Sequence, residues 1–364
     1  MRFAILGSRG FPSTYGGFET FVRTLAPELV ARGHSVLVYG RGGAHTSQVV
    51  EGVQVVSTIG IDSKSLSTLS YGATAAIDLA VRGADAALVV NVANGYFLPA
   101  LRARRIPTLL NVDGLEWERA KWSRLGRAVF RSGARCSAAN ATELVADSQA
   151  IADVWHTTFG RRPIFIPYGA PVLEHRETSR VEGLGLAPQD YILVVARLVP
   201  ENNVDVVLSA VELLGTSMSL VVVGSSAGPS STERRLRELG QQGRVVWLGH
   251  VDDQELLADL WFHSAIYIHG HSVGGTNPAL LQALGAGAPT IAFDSPYNRE
   301  VLAAGARFFS DSEELATELD EVAADPALRS ELRNMGRARI GAAYQWSDVC
   351  DSYEAALTAL AAGR

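Results

Sequence analysis

Short apolar runs rich in valine and isoleucine recur along this chain, and between them apolar positions return every three or four residues. The first pattern is that of strands covered on both faces; the second is that of amphipathic helices. Residues 2–6 read as a strand. Residues 17–32 read as a helix, with Phe18, Phe21, Val22, Leu25 and Leu29 near one face and Gly33 closing it. Further strands are expected at 35–39, 53–57, 86–91, 108–112, 143–146 and 164–166, with helical segments between most of them. This alternation predicts a mostly parallel sheet with helices on both faces.

The pattern breaks after residue 168. Residues 169–188 carry no strong period and contain Pro171, Gly183, Gly185 and Pro188. Strands resume at 191–196, 219–223, 245–248, 266–269, 290–293 and 307–309, with helices between them such as 204–214 and 252–263. Helices are expected at 311–324, 327–343 and 346–362, the last with Ser347 as its N-cap. The fold class is therefore α/β, with two Rossmann-like domains whose parallel sheets face a central cleft. Residues 1–170 form the first domain, 171–188 a linker and 189–345 the second domain. Residues 346–364 are expected to cross back to the first. The halves share an architecture and no detectable sequence repeat.

Composition sharpens this picture. A chain of 364 residues suits two domains, and 47% hydrophobic with 19% charged residues excludes general disorder. The net charge of −6 removes the global basic footprint of a nucleic-acid binder. Cys136 and Cys350 lie far apart and match no metal-ligand spacing, as expected of a reduced, cytoplasmic chain. The first residues enter a strand at once, without signal-peptide organisation, and no apolar run reaches the roughly 18 residues of a membrane span. A lipid substrate would have to be met peripherally, from the cytoplasmic side.

Open α/β sheets bind ligands beyond the carboxyl ends of their strands. The first such turn is Gly7-Ser8-Arg9-Gly10-Phe11-Pro12-Ser13-Thr14-Tyr15-Gly16-Gly17. Glycines let backbone approach a ligand, and the helix that follows offers free N–H groups to an anion. Gly16 and Gly17 are assigned to a diphosphate, Arg9 and Tyr15 to the acceptor. A dinucleotide site fits poorly, because the glycine spacing is wrong and no acid ends the second strand. Arg41 there would suit a 2′-phosphate. After residue 112 come Asp113, Glu116 and Trp117, then a segment in which Arg119, Lys121, Arg124, Arg127, Arg131 and Arg135 interleave with Trp122, Leu125, Val129 and Phe130. Such a helix can rest on an anionic membrane, cradle a diphosphate, or be an arginine-rich solvated face. Asp113 and Glu116 stand where a carboxylate meets a sugar hydroxyl, although Asp113-Gly114 fits a turn equally well. Asp147 and Tyr168 end later strands. Asp147 is either a site carboxylate or, with Ser148, a helix cap.

In the second half, Arg197 ends a strand, where its fork suits two phosphate oxygens. Gly224, His250 and Val251 stand in turns able to read a base and ribose. The richest stretch is His269-Gly270-His271-Ser272-Val273-Gly274-Gly275-Thr276-Asn277-Pro278, a glycine turn that opens a helix. Gly275, Thr276 and Asn277 are assigned to the diphosphate, Gln282 to the ribose and His271 to the acceptor; His269 reads as a packing histidine. No Asp-x-Asp ends a strand in an apolar context, and no His/Glu cluster has ligand spacing. No metal and no cofactor is expected. Arg197, Arg9, Lys121 and the helix termini would stabilise a leaving diphosphate instead.

Over nearly its whole length the chain resembles the retaining GT-B glycosyltransferases of family four. Gly7 to Pro12 with Tyr15-Gly16-Gly17-Phe18-Glu19-Thr20-Phe21, Pro200-Glu201-Asn202-Asn203, and His269 to Pro278 resemble the bacterial rhamnosyltransferase branch. The resemblance implies a nucleotide-diphosphate sugar donor, with dTDP-L-rhamnose favoured, and retention at the anomeric carbon without a metal. It also implies a lipid-diphosphate-linked glycan acceptor at the inner face of the cell membrane, in cell-surface polysaccharide synthesis. The expected catalytic set is Asp113, Lys121, Asp147 and Arg197. The chain departs from the wider family in three places: its lysine falls at Asn202 or Asn203, and its two glutamates fall at Gly274 and Gln282. Competing readings are a UDP- or GDP-sugar donor carrying another sugar, a nucleotide-sugar epimerase or phosphorylase, an NADP-dependent oxidoreductase, and a non-catalytic glycan- or nucleotide-binding protein.

Overall fold

The computed structural model describes residues 1–12, 17–61, 67–112, 114–119, 122–214, 218–226, 228, 230–303 and 307–363. It divides into two compact units, Met1–Tyr168 with Trp346–Arg364, and Gly169–Gln345.

The first unit is built on strands β1 (Arg2–Leu6), β2 (Ser35–Gly42), β3 (Thr46–Val50), β4 (Val53–Ile59), β5 (Ala86–Val90), β6 (Thr108–Asn111), β7 (Glu143–Ala146) and β8 (Ile164–Phe165). Their order is β3-β4-β2-β1-β5-β6-β7-β8. All pairs are parallel except β3 with β4. Every residue of β5 is buried, as expected of a strand covered on both faces. β3 is a departure from the sequence expectation. It is an exposed edge strand, closed onto β4 by a turn in which Glu51 and Gly52 both have positive φ (51° and 77°). Its Thr-Ser-Gln-Val-Val carries no buried face to read.

The second unit holds β9 (Tyr191–Val195), β10 (Ser219–Val223), β11 (Val245–Gly249), β12 (Ile266–His269), β13 (Thr290–Phe293) and β14 (Arg307–Phe309). They pair in parallel in the order β11-β10-β9-β12-β13-β14. Residues 171–188, expected as a linker, are bound into this unit. Leu173 N donates to Gly285 O (2.9 Å), and a Cβ on Gly285 would lie 2.1 Å from Pro171 O. Arg176 donates from Nε to Asp259 Oδ1 (2.5 Å) and pairs through Nη1 with Glu255 (2.8 Å). Asp259 is only 3% exposed. A short helix, Ser179–Glu182, completes the strap.

The last helix, Trp346–Ala362, packs on β5, β6 and the helix Gly17–Ala31. Tyr353 is fully buried, its ring 4.7 Å from Phe21, and its hydroxyl accepts from Asn111 Nδ2 (2.9 Å). At the rim Arg32 pairs with Asp351 (2.6 Å) and Glu354 (2.7 Å), and His34 Nε2 meets Glu354 (2.7 Å). His34, then Arg32, holds the Glu354 carboxyl below its ordinary range. Ser347 is not the cap: the helix already includes Trp346, and the Ser347 hydroxyl donates to Asp348 (3.3 Å).

Each unit has its own key contact, so the two should respond separately. Tyr353→Ala removes a buried ring and should destabilise the first unit by about 3–5 kcal/mol. Asp259→Asn removes a charge-assisted bond and should destabilise the second by about 2 kcal/mol. Calorimetry of the two variants should show different transitions lowered; loss of the same transition in both would contradict the division.

Candidate functional site

In the second unit, β11, β10, β9 and β12 stand side by side, and the strand order reverses between β9 and β12. Such a reversal opens a crevice beyond the carboxyl ends. The turns there are shaped by backbone crowding. Gly224, after β10, has φ +139°, and a Cβ on it would lie 1.8 Å from Ala196 O. Gly270, after β12, faces Asn202 O, which a Cβ would approach to 2.3 Å. Only glycine fits at either point.

Arg197 follows β9 and is exposed. No acid or hydrogen-bonding side chain engages its guanidinium among the described residues. The turn beneath it is held by the two asparagines that stand where the resemblance places a lysine. Asn202 is 2% exposed, and its Nδ2 donates to Arg197 O (2.8 Å). Asn203 adopts a left-handed φ of 52°, and its Nδ2 donates to Gly270 O (2.9 Å). Both amides thus serve the turn, and neither supplies a second cation.

The loop after β12 is fastened just as tightly. Ser272 donates from both N and Oγ to Glu201 O (2.9 Å each), and Asn298 Nδ2 donates to His271 O (2.9 Å). Gly274 has φ +138°. Gly275 is part-buried and Thr276 is buried. Asn277 caps the helix Pro278–Ala286, its Oδ1 accepting from Ala279 N (3.0 Å) while Leu280 N donates to its carbonyl (3.0 Å). The first-turn amides are therefore already met, so the helix start itself offers an anion few free donors. Gln282 is half-buried on the same helix. His250 is exposed and meets Asp252 (3.0 Å), with Val251 half-exposed beside it.

His269 is fully buried and stacks on the half-exposed His271, ring centroids 4.4 Å apart. Its Nδ1 meets the Tyr267 hydroxyl at 3.1 Å. Burial, then the neighbouring His271, pushes its pKa well below the ordinary histidine value, so it stays neutral. The packing role expected for His269 is what these contacts describe.

The first unit reverses its strand order between β1 and β5. Gly7 follows β1 with φ +103°, and a Cβ there would lie 2.1 Å from Val90 O. Arg9 is exposed, and its backbone N donates to the buried Glu19 of the following helix (3.1 Å). Gly17 opens that helix, Gly17–Ala31. Tyr15, Gly16, Asp113 and Lys121 lie outside the described residues.

Several side chains expected to face a ligand are instead built into the scaffold. Glu116 is 7% exposed and gives one oxygen to Arg119 (2.6 Å) and the other to Trp122 Nε1 (2.7 Å). Trp117 packs its ring edgewise on Trp155 (6.2 Å) and Phe159 (5.8 Å). Tyr168 is buried against Phe21 (5.6 Å). Asp147 is 1% exposed at the end of β7, and Ser148 precedes the helix Gln149–Phe159 without a side-chain capping bond.

A pocket not foreseen from the sequence is lined by Gly7, Ser8, Arg41, Thr58, Tyr71 and Gly72. Arg41 lies over the Tyr71 ring (5.5 Å) and donates to Ser67 Oγ (3.3 Å). The basic helix, Arg124–Asn140, buries Gly133, Ala134 and Ser137 against residues 92–97. It leaves Arg124, Arg127, Arg131 and Arg135 exposed, with Leu125 75% exposed among them. None of the four arginines has an acidic partner among the described residues. Among those residues no three His, Cys, Asp or Glu side chains are grouped to hold a metal ion.

Residues 15–171 match the family model described as Glycosyltransferase Family 4, and residues 176–339 match Glycosyl transferases group 1. Among solved structures the fold is similar to sucrose-phosphate synthase from Thermosynechococcus elongatus, with TM-score 0.83 and 18% identity over 100% of both chains. It is also similar to HepE from Anabaena in complex with UDP-glucose (TM-score 0.78, 15% identity, 98% of this chain and 99% of that one). A third is WaaG, a glycosyltransferase involved in lipopolysaccharide biosynthesis (TM-score 0.76, 17% identity, 98% and 100%). At such identities the likeness establishes the fold alone. No curated protein matches the sequence. With a glycosyltransferase family model matched in each unit, and a fold similar along its whole length to that of sucrose-phosphate synthase, the chain is a glycosyltransferase of the GT-B fold.

Proposed function

We propose that the chain transfers L-rhamnose from dTDP-L-rhamnose, with retention at the anomeric carbon, to a lipid-diphosphate-linked glycan in cell-surface polysaccharide synthesis. The observation that carries the donor assignment is the exposed Arg197 guanidinium, without an acidic partner among the described residues, at the carboxyl end of β9 beside two glycine turns. A fork of that kind pairs with two phosphate oxygens. HepE, of similar fold, has been seen with UDP and with UDP-glucose, which supports a nucleotide sugar as the ligand class. The choice of dTDP-rhamnose rests on the three motifs shared with the rhamnosyltransferase branch.

In this reading Arg197, Gly275, Thr276 and Asn277 hold the diphosphate, with Gly224, His250, Val251 and Gln282 at the nucleoside. Gly16 and Gly17 of the first unit are kept as diphosphate-binding glycines. Arg9, Tyr15, Glu116, Trp117, Tyr168 and His271 serve the acceptor, Glu116 and Tyr168 by holding the scaffold rather than by direct contact. Asp113, Lys121 and Asp147 complete the proposed catalytic set. The bond from the anomeric carbon to the diphosphate oxygen breaks, and the acceptor oxygen bonds to that carbon on the same face. The acceptor's proton passes to the departing phosphate. Fixed cationic donors meet the charge that develops, so no metal or cofactor is invoked.

The four exposed arginines of Arg124–Asn140 and Leu125 support a peripheral place on the inner membrane face. No described helix is long and apolar enough to cross a membrane.

Two experiments test this. The protein is incubated in EDTA with dTDP-, UDP- and GDP-sugars and lipid-diphosphate-linked glycans, and product is sought by mass. Transfer from dTDP-rhamnose is expected, and Arg197→Ala should lower it roughly a hundredfold or more. Transfer from a UDP-sugar alone would move the donor assignment, and unchanged turnover in Arg197→Ala would remove Arg197 from the mechanism. Glutamate at Arg124, Arg127 and Arg131 together should abolish sedimentation with phosphatidylglycerol vesicles in low salt, while leaving turnover of a water-soluble acceptor analogue intact.

A further inference from the structure

Glu201 lies in the short turn Pro200–Asn202 and is 7% exposed. Both of its carboxylate oxygens are buried, and neither meets a hydrogen-bond donor among the described residues. Buried carboxylates are ordinarily paired, because an ionised carboxylate only accepts and is expensive to desolvate. Three donor residues of the two turns around it serve main-chain carbonyls instead. Ser272 directs both N and Oγ to the Glu201 main-chain oxygen, Asn202 Nδ2 goes to Arg197 O, and Asn203 Nδ2 goes to Gly270 O. The turn thus buries an acceptor that these donors do not satisfy.

Its position narrows what could satisfy it. Glu201 is the only acid in residues 196–203 and 269–277, the two turns that Ser272 and Asn203 bind together. It stands four residues beyond Arg197. A nucleotide sugar offers only acceptors at its diphosphate, which a carboxylate repels. Its hydroxyls are donors, which a carboxylate binds strongly when water is excluded. We propose that Glu201 is a specificity-determining residue of the donor site, its carboxylate accepting a hydroxyl of the nucleotide sugar. This rests on the donor assignment above. It gives the site a carboxylate although Gly274 and Gln282 carry none.

The hydroxyl belongs either to the transferred sugar or to the nucleoside's sugar, and the two are separable. Calorimetric titration of wild type, Glu201→Gln and the charge-preserving Glu201→Asp with dTDP, dTDP-L-rhamnose, UDP and UDP-glucose makes the distinction. Glu201→Gln keeps the shape, and its melting temperature should stay at or above that of wild type. The expected result is unchanged affinity for the free nucleotide and about tenfold or more weaker binding of the nucleotide sugar, with Glu201→Asp between. Equal weakening of nucleotide and nucleotide sugar also supports Glu201 and places the hydroxyl on the nucleoside. If wild type and Glu201→Gln bind all four probes alike, with only melting temperature altered, Glu201 is a strained structural residue and the proposal is overturned. If wild type binds none of the four, the donor assignment itself falls and this proposal with it.

Discussion

The architecture depends on main-chain carbonyls that leave no room for a side chain. Val90 O at the end of β5 confronts Gly7, Ala196 O after β9 confronts Gly224, and Asn202 O confronts Gly270. Each contact would bring a Cβ to between 1.8 and 2.3 Å of an oxygen. Neighbouring parallel strands can release their chains into such tight turns only where one partner is bare backbone. The same steric rule acts in both units, at the carboxyl ends of strands at or next to the point where the strand order reverses. The exposed polar groups of Arg9 and Arg197 are presented from these turns.

Around that constraint the polar residues divide into those that build the turns and those that remain available. Asn202, Asn203, Asn277, Asn298 and Ser272 build: their hydrogen bonds close loops or cap a helix. Arg197 and the arginines of Arg124–Asn140 remain available, with no acid opposite them among the described residues. Asparagine where the resemblance places a lysine therefore gives the turn hydrogen bonds to its own carbonyls in place of a side-chain charge.

The strands were legible because parallel strands covered on both faces demand unbroken apolar runs, and β1, β5 and β9 supply them. β3 was not, because an exposed edge has no buried side to impose a pattern. Site turns were legible as glycine clusters at strand ends. The fate of individual side chains was not. Glu116 looks like a sugar ligand until Arg119 and Trp122 are seen to occupy its oxygens, and Tyr168 looks like a ligand contact until Phe21 covers it. Those outcomes depend on tertiary neighbours that periodicity does not encode. Glu201 is the converse: its motif was visible as a resemblance, but its unmatched burial emerges only when Ser272 and the two asparagines are placed.

The return of the last helix makes the second unit an insertion within the chain of the first, since residues 169–345 intervene between its two parts. This orders events on the ribosome. The second unit has all of its sequence before the first does, and at about 5–20 residues per second the first waits on the order of ten seconds or more for its closing segment. During that interval the surface later covered by Tyr353, against Phe21 and Asn111, stays bare. The amino-terminal sheet is thus the part of the newborn protein most in need of protection, although it is made first.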